Sequence, residues 1–412
     1  MYSRAVSKTI AIIIAVIVVI AIIAAAAMVM TPPTPSPTSP SPKPTPTTPT
    51  TPTTPPTPTP TTPTTPTTPT VIAWPIKAIT LHCGWAAGGA SDFVCRALAL
   101  EMSEYFKQPI NVINTVGASG AVGAVETIKA PADGYTWFGG ASVHGTWPVL
   151  GYANISWTDF YAFLAISEPT AIYVNWDAPW KDLIDLLNAI KANPGKFRYG
   201  TPGAGSNGHI FAELVLKEAG LTGAAIHIPY TGGREAGAKL LAGEIEFAST
   251  TLGDLSDYAI AGKMRVLAIL SRKDLEIKGY PLGIAPSVLK YFPNLEAWIP
   301  INPSFGIYIP RTVPKEILLR IFEAFKYAIN QERFRKSLEE RNMMLELHVG
   351  IDSDQVMSKV ESARCWALWE LKIAKRNPAD FGIPRPEEWK WPPHSRAEKT
   401  QLLYPWPTEI KL

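Results

Sequence analysis

The residues AITLHCGWAAGGASDFVCRALALEMSEYF at positions 78–106 hold the pattern that decides the fold. Ala78–Cys83 alternates apolar and polar side chains as a short strand does, and Asp92–Phe106 has apolar residues at helical spacing. Between them, Gly88 and Gly89 form a tight turn from the end of the strand to the start of the helix. This order is typical of an α/β protein with parallel strands.

The same alternation continues along the chain to Leu270. Further strands are predicted at Ile110–Asn114, Thr136–Gly140, Ala171–Val174, Arg198–Gly200, Ala225–Ile228, Glu246–Thr250 and Arg265–Leu270. Further helices are predicted at Ala121–Ala130, between Pro179 and Asn193, at His209–Ala219, at Arg234–Ala242 and at Asp254–Ala261. The short connections predict parallel sheets with right-handed crossovers. One doubly wound sheet rarely holds so many units, so we expect an α/β fold with two lobes and a cleft.

Three more glycine-rich turns stand between a predicted strand and a predicted helix. They are Gly117-Ala118-Ser119-Gly120, Gly203-Ala204-Gly205-Ser206-Asn207-Gly208 and Tyr230-Thr231-Gly232-Gly233. In α/β sheets, ligands bind at the carboxyl ends of the strands, where helix N-termini offer unpaired N–H groups and a partial positive charge. The four turns together therefore predict an anion site. The alternative is that the glycines only serve tight turns with positive φ.

The N-terminal part of the chain differs in composition from the rest. Residues 1–30 are predicted to be a membrane anchor, because the run from Thr9 to Met30 is uncharged, follows Arg4 and Lys8 and is long enough to cross a bilayer. The basic residues place the N-terminus in the cytoplasm and the folded body outside. A cleaved signal peptide is the alternative, in which case the body is secreted. Residues 31–70 hold 17 Pro and 19 Thr, a composition that predicts an extended stalk.

The remaining part of the chain, residues 71–412, is formally neutral. With Arg4, Lys8 and Lys43 set aside, 35 of the 38 basic residues remain, against 35 acidic ones. A neutral body lacks the basic surface that attracts a phosphate backbone. We therefore expect no nucleic-acid partner.

A dinucleotide-binding motif is present but incomplete. The run Gly203-x-Gly205-x-x-Gly208 follows a predicted strand and precedes a predicted helix, as the dinucleotide fingerprint requires. The fingerprint also needs an acidic residue at the end of the next strand, and this strand ends at Pro229 instead. A nucleotide-dependent α/β enzyme is therefore an alternative with this run as its only support. No cofactor is expected.

The histidines and cysteines give no metal-ligand pattern. The six histidines include no pair at metal-ligand spacing. Cys83 and Cys95 lie close enough along the predicted strand, turn and helix for a disulfide in an oxidising exterior. Two buried thiols are the alternative.

Several longer motifs, taken in order, resemble one protein family. They are Trp85-Ala86-Ala87-Gly88-Gly89-Ala90-Ser91-Asp92, Pro131-Ala132-Asp133-Gly134-Tyr135-Thr136, Tyr199-Gly200-Thr201-Pro202-Gly203-Ala204-Gly205-Ser206-Asn207-Gly208-His209, His227-Ile228-Pro229-Tyr230-Thr231-Gly232 and Ala261-Gly262-Lys263-Met264-Arg265. Over residues 74 to about 376, the chain resembles the solute-binding receptors of tripartite tricarboxylate transporters, the Bug-type periplasmic binding proteins.

The resemblance implies a type II periplasmic-binding-protein fold with two doubly wound lobes. Such a receptor closes on a carboxylated metabolite, such as a di- or tricarboxylate, and delivers it to integral-membrane permease subunits. It is not an enzyme. The first lobe, lobe 1, is expected at positions 71–170 and 295–376, and the second, lobe 2, is expected at positions 171–294. A receptor that presents its ligand to a signalling partner is the alternative.

The resemblance also implies a ligand-binding set. In the family, the first strand-to-helix loop and the glycine/serine-rich loop of the other lobe hold a ligand carboxylate through backbone groups, hydroxyls and ordered waters. The residues at the corresponding positions in this chain are Gly88, Gly89, Ala90, Ser91 and Asp92 in the first loop, Gly203, Gly205, Ser206, Asn207 and His209 in the second, and Ser142, Thr231 and Gly232 on the walls.

The chain departs from the family pattern at a few positions. Ala87 and Ala90 stand where the family usually has Pro and Gly, and an Asp that often follows the fifth strand of the second lobe is replaced near Thr250. Arg234 is an unusual charge directly after a glycine turn. We predict that it pairs with a second ligand carboxylate, with a solvated helix-start residue as the alternative. Residues 377–412 form a Pro/Trp-rich tail outside the resemblance, which either wraps the body or meets a partner.

Overall fold

The computed structural model of the protein describes residues 73–412. The anchor predicted at residues 1–30 and the stalk predicted at residues 31–70 lie outside the described residues. Within residues 73–412, no helix is both long and apolar enough to cross a bilayer. All described elements belong to one compact unit, Pro69–Leu412.

Strands and helices alternate through most of this unit. In chain order, the strands are β1 (Ile79–Cys83), β2 (Ile110–Asn114), β3 (Thr136–Ala141), β4 (Phe160–Ser167), β5 (Thr170–Asn175), β6 (Phe197–Thr201), β7 (Ala225–Pro229), β8 (Phe247–Thr251), β9 (Met264–Ile269), β10 (Leu275–Glu276), β11 (Ile284–Ala285), β12 (Ser304–Pro310) and β13 (Met344–His348). The helices are α1 (Ala90–Phe106), α2 (Ala121–Lys129), α3 (Thr146–Leu150), α4 (Leu183–Ala192), α5 (Asn207–Glu218), α6 (Gly233–Leu241), α7 (Leu252–Ile260), α8 (Lys315–Asn330), α9 (Glu332–Glu339), α10 (Gly350–Glu370) and α11 (Ser395–Leu403). Short 3₁₀ helices lie at Ala118–Gly120, Trp157–Asp159, Val288–Lys290, Pro293–Ile301, Pro378–Phe381 and Pro386–Glu388.

The strands form two main sheets, which define two lobes. Lobe 1 is built on a six-stranded sheet in the order β13-β4-β12-β3-β1-β2, and lobe 2 on a five-stranded sheet in the order β7-β6-β8-β5-β9. β10 and β11 pair separately. The exact lobe boundaries expected from the resemblance stay a prediction.

Both sheets are mixed, so the expectation of parallel sheets was wrong in part. β1 is parallel to β2 and β3, and β6 is parallel to β7 and β8. β5 runs antiparallel to β8 and β9, and β12 runs antiparallel to β3 and β4. β5 and β12 each enter their sheet directly from the other lobe. They therefore lack the crossover helix that a parallel neighbour requires.

Two short segments connect the sheets and lie side by side. Glu168 and Pro169 separate β4 from β5, and Asn302 and Pro303 precede β12. The Glu168 N–H donates to the Pro303 carbonyl at 3.2 Å, and the Thr170 N–H donates to the Asn302 side-chain oxygen at 3.0 Å. We refer to these two adjacent crossings as the hinge, since hinges between lobes are short connecting segments of this kind.

Burial follows the position of each element. In β4, every residue from Phe160 to Ile166 is buried, and the strand contacts both α8 and α10. β2 lies at a sheet edge and is mostly exposed or half-buried. In lobe 2, the side chain of Asp182 accepts the Asp185 N–H at 2.9 Å and caps α4. β4 is thus buried as a central strand is and β2 is exposed as an edge strand is, while α4 has an ordinary side-chain cap at its N-terminus.

The C-terminal tail, residues 377–412, packs against lobe 1. The buried ring of Trp406 lies 4.7 Å from the ring centroid of Tyr161. Arg396, in α11, pairs with Asp159 at 2.5 Å. Of the two roles that the sequence left open for the tail, these contacts support wrapping of the body.

Cys83 and Cys95 are free thiols, and both are buried. The disulfide that the sequence left open is therefore not formed in this structure. The pKa of the Cys95 thiol is raised well above its usual value, mainly by a hydrogen bond with Cys83 and also by burial. Both side chains belong to the apolar core of lobe 1.

Candidate ligand site

Three of the four predicted glycine turns, at positions 88–92, 203–208 and 230–233, meet at one small cavity, which is the candidate ligand site. The turn at positions 117–120 does not line this cavity. The volume of the cavity is about 20 Å³, which is room for about one water molecule. The residues that line it are Trp85, Ala86, Gly89, Ser91, Ala141, Pro202, Asn207, Gly232, Gly233, Thr251, Asp254 and Phe305. In this arrangement of the lobes, the cavity therefore has no room for an organic molecule.

Contacts between the lobes keep the cavity closed. The Ala86 N–H donates to the Thr231 carbonyl at 3.2 Å, and the Ser119 hydroxyl donates to the Ala204 carbonyl at 2.8 Å. A Cβ added to Gly232 would lie 3.1 Å from the Cβ of Ala86. Glycine at this position thus allows the two main chains to approach closely.

The first predicted turn contributes Gly89, Ala90 and Ser91 to the site. Gly89 and Ser91 line the cavity. Gly89 is the N-cap of α1 and offers no side chain to the first turn of the helix. The Ala90 N–H donates across the lobes to the carboxylate of Asp254 at 2.7 Å. The N-terminus of α1 therefore already binds a carboxylate, that of Asp254, in the way that helix N-termini bind anions.

Asp92 shapes the first turn from behind. Its carboxylate accepts the Gly88 N–H at 2.9 Å, the Arg96 Nε–H at 3.0 Å and the Asn114 side-chain amide at 2.7 Å. Burial alone would raise the pKa of Asp92, but these hydrogen bonds outweigh burial and lower the pKa below its usual value. Neither Asp92 nor Gly88 is among the residues that line the cavity.

The turn at positions 203–208 is held by hydrogen bonds among its own residues and His209 at the start of α5. Ser206 is the N-cap, and its hydroxyl accepts the His209 N–H at 3.3 Å. The Gly205 N–H donates to His209 Nδ1 at 3.0 Å. Asn207 lines the cavity, and its side-chain amide donates to the Thr170 hydroxyl at 3.0 Å. Asn207 is therefore the member of this turn that lines the cavity.

His209 supports the turn from behind. Its ring stacks on that of His227, with the ring centroids 3.7 Å apart. Burial lowers the pKa of His209 to about 3, with a further contribution from His227, and burial lowers the pKa of His227 to about 4. Both rings are therefore neutral at pH 7, and Nδ1 of His209 keeps the lone pair that accepts from Gly205. Gly203 has φ +125°, and a Cβ there would lie 2.7 Å from the Ser119 hydroxyl oxygen.

The turn at positions 230–233 contributes two glycines to the cavity lining, Gly232 and Gly233, and is followed directly by Arg234. Gly232 lines the cavity, while Thr231 is exposed and donates its N–H and hydroxyl to Glu235 at 2.9 and 2.5 Å. The Arg234 guanidinium makes two hydrogen bonds of 2.5 Å to Asp257. The predicted pairing of Arg234 with a ligand stays a prediction, and it would require this guanidinium to leave Asp257.

Ser142 lies behind the wall of the cavity rather than on it. Its hydroxyl oxygen accepts the Ser304 N–H at 3.0 Å, and its carbonyl accepts a hydrogen bond from Arg364. Arg364 is fully buried and also donates to the Ile301 carbonyl at 2.8 and 2.6 Å. These bonds fix the end of β3, from which Ala141 lines the cavity.

Asp254 is a residue of the site that was not predicted from the sequence. This residue stands in the first turn of α7 and is 6% exposed. Its carboxylate accepts the Ala90 N–H on Oδ1 and the Thr251 hydroxyl on Oδ2, the latter at 2.8 Å. Thr251-x-x-Asp254 has the spacing of an N-cap residue and the third residue of a helix. That signal predicts a helix start, but it does not predict that the carboxylate faces the other lobe.

Two α/β lobes, two adjacent crossings and opposed glycine turns define a two-lobed α/β protein with a candidate ligand site between its lobes. Residues 94–364 match the family model described as the tripartite tricarboxylate transporter family receptor. The chain belongs to this family, which consists of extracytoplasmic solute-binding receptors and not of enzymes. The resemblance noted from the sequence is thus confirmed.

Individual relatives are more distant. A UPF0065 protein of Bordetella pertussis is 31% identical over 204 residues, which are 49% of this chain and 62% of that protein. The match thus spans less than two thirds of that relative. Protein BugT of the same organism is 29% identical over 255 residues, which are 60% of this chain and 74% of that protein.

Solved structures share the fold. An R. palustris protein with adipate is 23% identical, with a TM-score of 0.64 over 73% of this chain and 99% of that chain. MatC from Rhodopseudomonas palustris with bound malate is 19% identical, with a TM-score of 0.61 and the same coverages. The predicted two-lobed α/β fold is confirmed by these likenesses.

Proposed function

We propose that the protein captures a small organic acid between its lobes and delivers it to a tripartite tricarboxylate-type permease. The observation that carries the proposal is the meeting of glycine turns from both lobes at one cavity. α1 begins there in lobe 1, and α5 and α6 begin there in lobe 2. Helix N-termini stabilise an anion by up to about 2 kcal/mol each. This arrangement suits the carboxylate of a ligand.

The chemistry of the cavity wall supports an anion held by neutral donors. None of the residues described above as lining the cavity is Lys, Arg or His. Ser91, Asn207 and Thr251 supply polar side chains, and the turns supply backbone amides. Hydrogen bonds to a charged group contribute about 1.5–3 kcal/mol each. Two helix termini and three such bonds reach the roughly 8 kcal/mol of a micromolar complex, from which the association costs and the displacement of Asp254 from the Ala90 N–H are then subtracted.

Lobe rotation about the hinge is the proposed route of entry. The cavity of about 20 Å³ is too small for an organic acid, and the two crossing segments at positions 168–169 and 302–303 allow the lobes to separate. Closure over the ligand then removes water and strengthens each polar contact. Rotation of two rigid lobes about such a hinge is a common form of ligand capture.

The relatives support the ligand class and the partner. The structural neighbours described above hold adipate in one case and malate in the other. The family itself is named for a carboxylate transporter. We therefore propose small carboxylates as the ligand class and integral-membrane permease subunits as the partner.

The test is a calorimetric titration of the full chain with malate and with malamide, its uncharged diamide. We expect binding of malate alone, because the helix termini act on charge. NAD serves as a third ligand, and binding of NAD without malate would overturn the proposal in favour of a nucleotide site. Asn207→Ala should weaken malate binding, since Asn207 lines the cavity. Asn193→Ala is the matched control, because Asn193 is an exposed residue at the end of α4.

A further inference from the structure

The carboxylate of Asp254 already lies where an anion would bind. Oδ1 accepts the N–H of Ala90, the first residue of α1, at 2.7 Å. Oδ2 accepts hydrogen bonds from the hydroxyls of Thr250 and Thr251. Ala90 belongs to lobe 1 and the other three residues to lobe 2. Asp254 is thus a buried anion that joins the lobes.

Two glycines make room for this carboxylate. A Cβ added to Gly89 would lie 2.8 Å from Oδ1 of Asp254, and a Cβ added to Gly233 would overlap Oδ2. Gly89 is the N-cap of α1, and Gly233 is the first residue of α6. The carboxylate therefore sits between two helix N-termini from opposite lobes, where the partial positive charges of both helices stabilise it.

Within residues 73–412, no cation lines the cavity beside Asp254. Arg234 donates to the backbone carbonyl of Asp254 at 3.2 Å, but the carboxylate with which its guanidinium pairs is that of Asp257. Of the cavity-lining residues that the structure describes, Asp254 alone has an ionisable side chain. The nearby carboxyl group of Glu168 lies on the hinge and is buried. Burial, and then the charge of Asp254, raise the pKa of Glu168 well above its usual value. Burial thus disfavours a charge on Glu168, and Asp254 is the acidic side chain that lines the cavity.

We propose that Asp254 is a specificity-determining residue that competes with the ligand for the Ala90 amide. This inference rests on the proposed function. A ligand carboxylate that takes the Ala90 N–H displaces Asp254 and leaves two anions side by side. A ligand that carries a hydroxyl or ammonium group next to its carboxylate can donate a hydrogen bond to Asp254, in place of the one that Asp254 loses from the Ala90 N–H. The site therefore prefers acids that carry such a donor over unsubstituted acids of the same length.

Succinate and malate test this preference, because malate differs from succinate by one hydroxyl. In calorimetric titrations of the full chain, we expect the wild-type protein to bind malate about tenfold more tightly than succinate, a factor typical of one hydrogen bond to a charged group. Asp254→Asn keeps the shape and removes the charge. We expect this variant to bind succinate about tenfold more tightly than the wild type does, with the preference for malate reduced to near unity.

Asp182→Asn is the matched control, because Asp182 is also a helix-capping carboxylate of lobe 2 but is exposed at the start of α4. It should leave both affinities unchanged. Ala90→Pro is a second variant with a different expected result. Proline is tolerated at the first position of a helix and lacks the N–H. Both acids should bind about tenfold more weakly to it, with the preference for malate retained because Asp254 keeps its charge.

The outcomes separate this inference from the proposed function. If the acids bind but Asp254→Asn changes neither the succinate affinity nor the preference, Asp254 does not compete and the inference is wrong, while the proposed function stands. Full succinate affinity in Ala90→Pro would also overturn the inference, and this result does not depend on the folding of the Asp254 variant. If neither the wild type nor Asp254→Asn binds any acid, both proposals fail.

Discussion

Lowering the pH from 7 to 5 should destabilise the protein through the two stacked histidines behind the ligand turn. Burial holds the pKa of His209 at about 3 and that of His227 at about 4, against 6.5 for an unperturbed imidazole. At pH 5, the unfolded chain therefore takes up protons that the folded protein does not. The stability that is fully present above pH 6.5 is lost as the pH falls toward the folded-state pKa values.

The size of this loss of stability follows from the difference between pH 5 and the pKa of the histidines in the unfolded chain. At pH 5 the unfolded imidazoles are about 1.5 units below their pKa, and each unit corresponds to about 1.4 kcal/mol. Each histidine thus removes about 2 kcal/mol, and the pair about 4 kcal/mol, from the free energy of unfolding. This loss is a large part of the roughly 5–15 kcal/mol that stabilises a typical domain.

Urea denaturation at pH 7 and pH 5 measures the effect in the wild type and in His209→Asn. The oxygen of Asn can accept the Gly205 N–H but does not titrate, so the loss between the two pH values should shrink by about 2 kcal/mol. His348→Gln is a control of opposite sign. A hydrogen bond to Glu346 raises the pKa of His348, so this histidine stabilises the protein below pH 6.5 and loses that effect as the pH rises. An unchanged pH dependence in His209→Asn would refute the reasoning.

Three further changes have expected outcomes. Arg311 and Asp354 pair at 2.5 Å, with side chains only 2% and 1% exposed. Arg311→Met should therefore lower the free energy of unfolding by about 3–5 kcal/mol, because it leaves the buried Asp354 carboxylate without its partner. Urea denaturation measures this loss, and the double variant Arg311→Met/Asp354→Leu should regain most of it. Trp406→Ala should lower the free energy of unfolding by about 3–5 kcal/mol in the same assay, because the Trp406 ring is buried in the core of lobe 1. Gly205 has φ +78°, and a Cβ there would meet a neighbouring side chain, so Gly205→Ala should distort the turn and weaken malate binding in calorimetry. Gly220→Ala is the control: this glycine has φ +69° but lies in open space, so malate binding should not change.

Local signals in the sequence were sufficient for the elements that carry the site. The first strand was expected at Ala78–Cys83 and lies at Ile79–Cys83, and the helix expected at His209–Ala219 lies at Asn207–Glu218. Strand and helix periodicity and glycine turns act over short stretches of chain, so one sequence shows them. The directions of β5 and β12 could not be predicted in this way. They depend on how the chain crosses between lobes, which no local pattern records.

Charged residues show the same limit within the site. Arg234 was singled out as a cation free for a ligand, but its partner Asp257 lies 23 residues further on. Asp254 has the spacing of an ordinary helix cap, yet its carboxylate binds an amide 164 residues away in sequence. A single sequence shows where charges stand, but pairing across turns and lobes decides which of them remain available to a ligand.

This pairing changes the energetics expected of ligand binding. Helix termini that faced only water would give a carboxylate the full benefit of their dipoles and amides. Here the Ala90 N–H is already bonded to Asp254, so an entering acid replaces one anion by another. The affinity then depends on the difference between the two carboxylates rather than on the sum of the new contacts. The chain can therefore change its choice of acid through Asp254, a residue outside the motifs that define the family resemblance, while the fold stays the same.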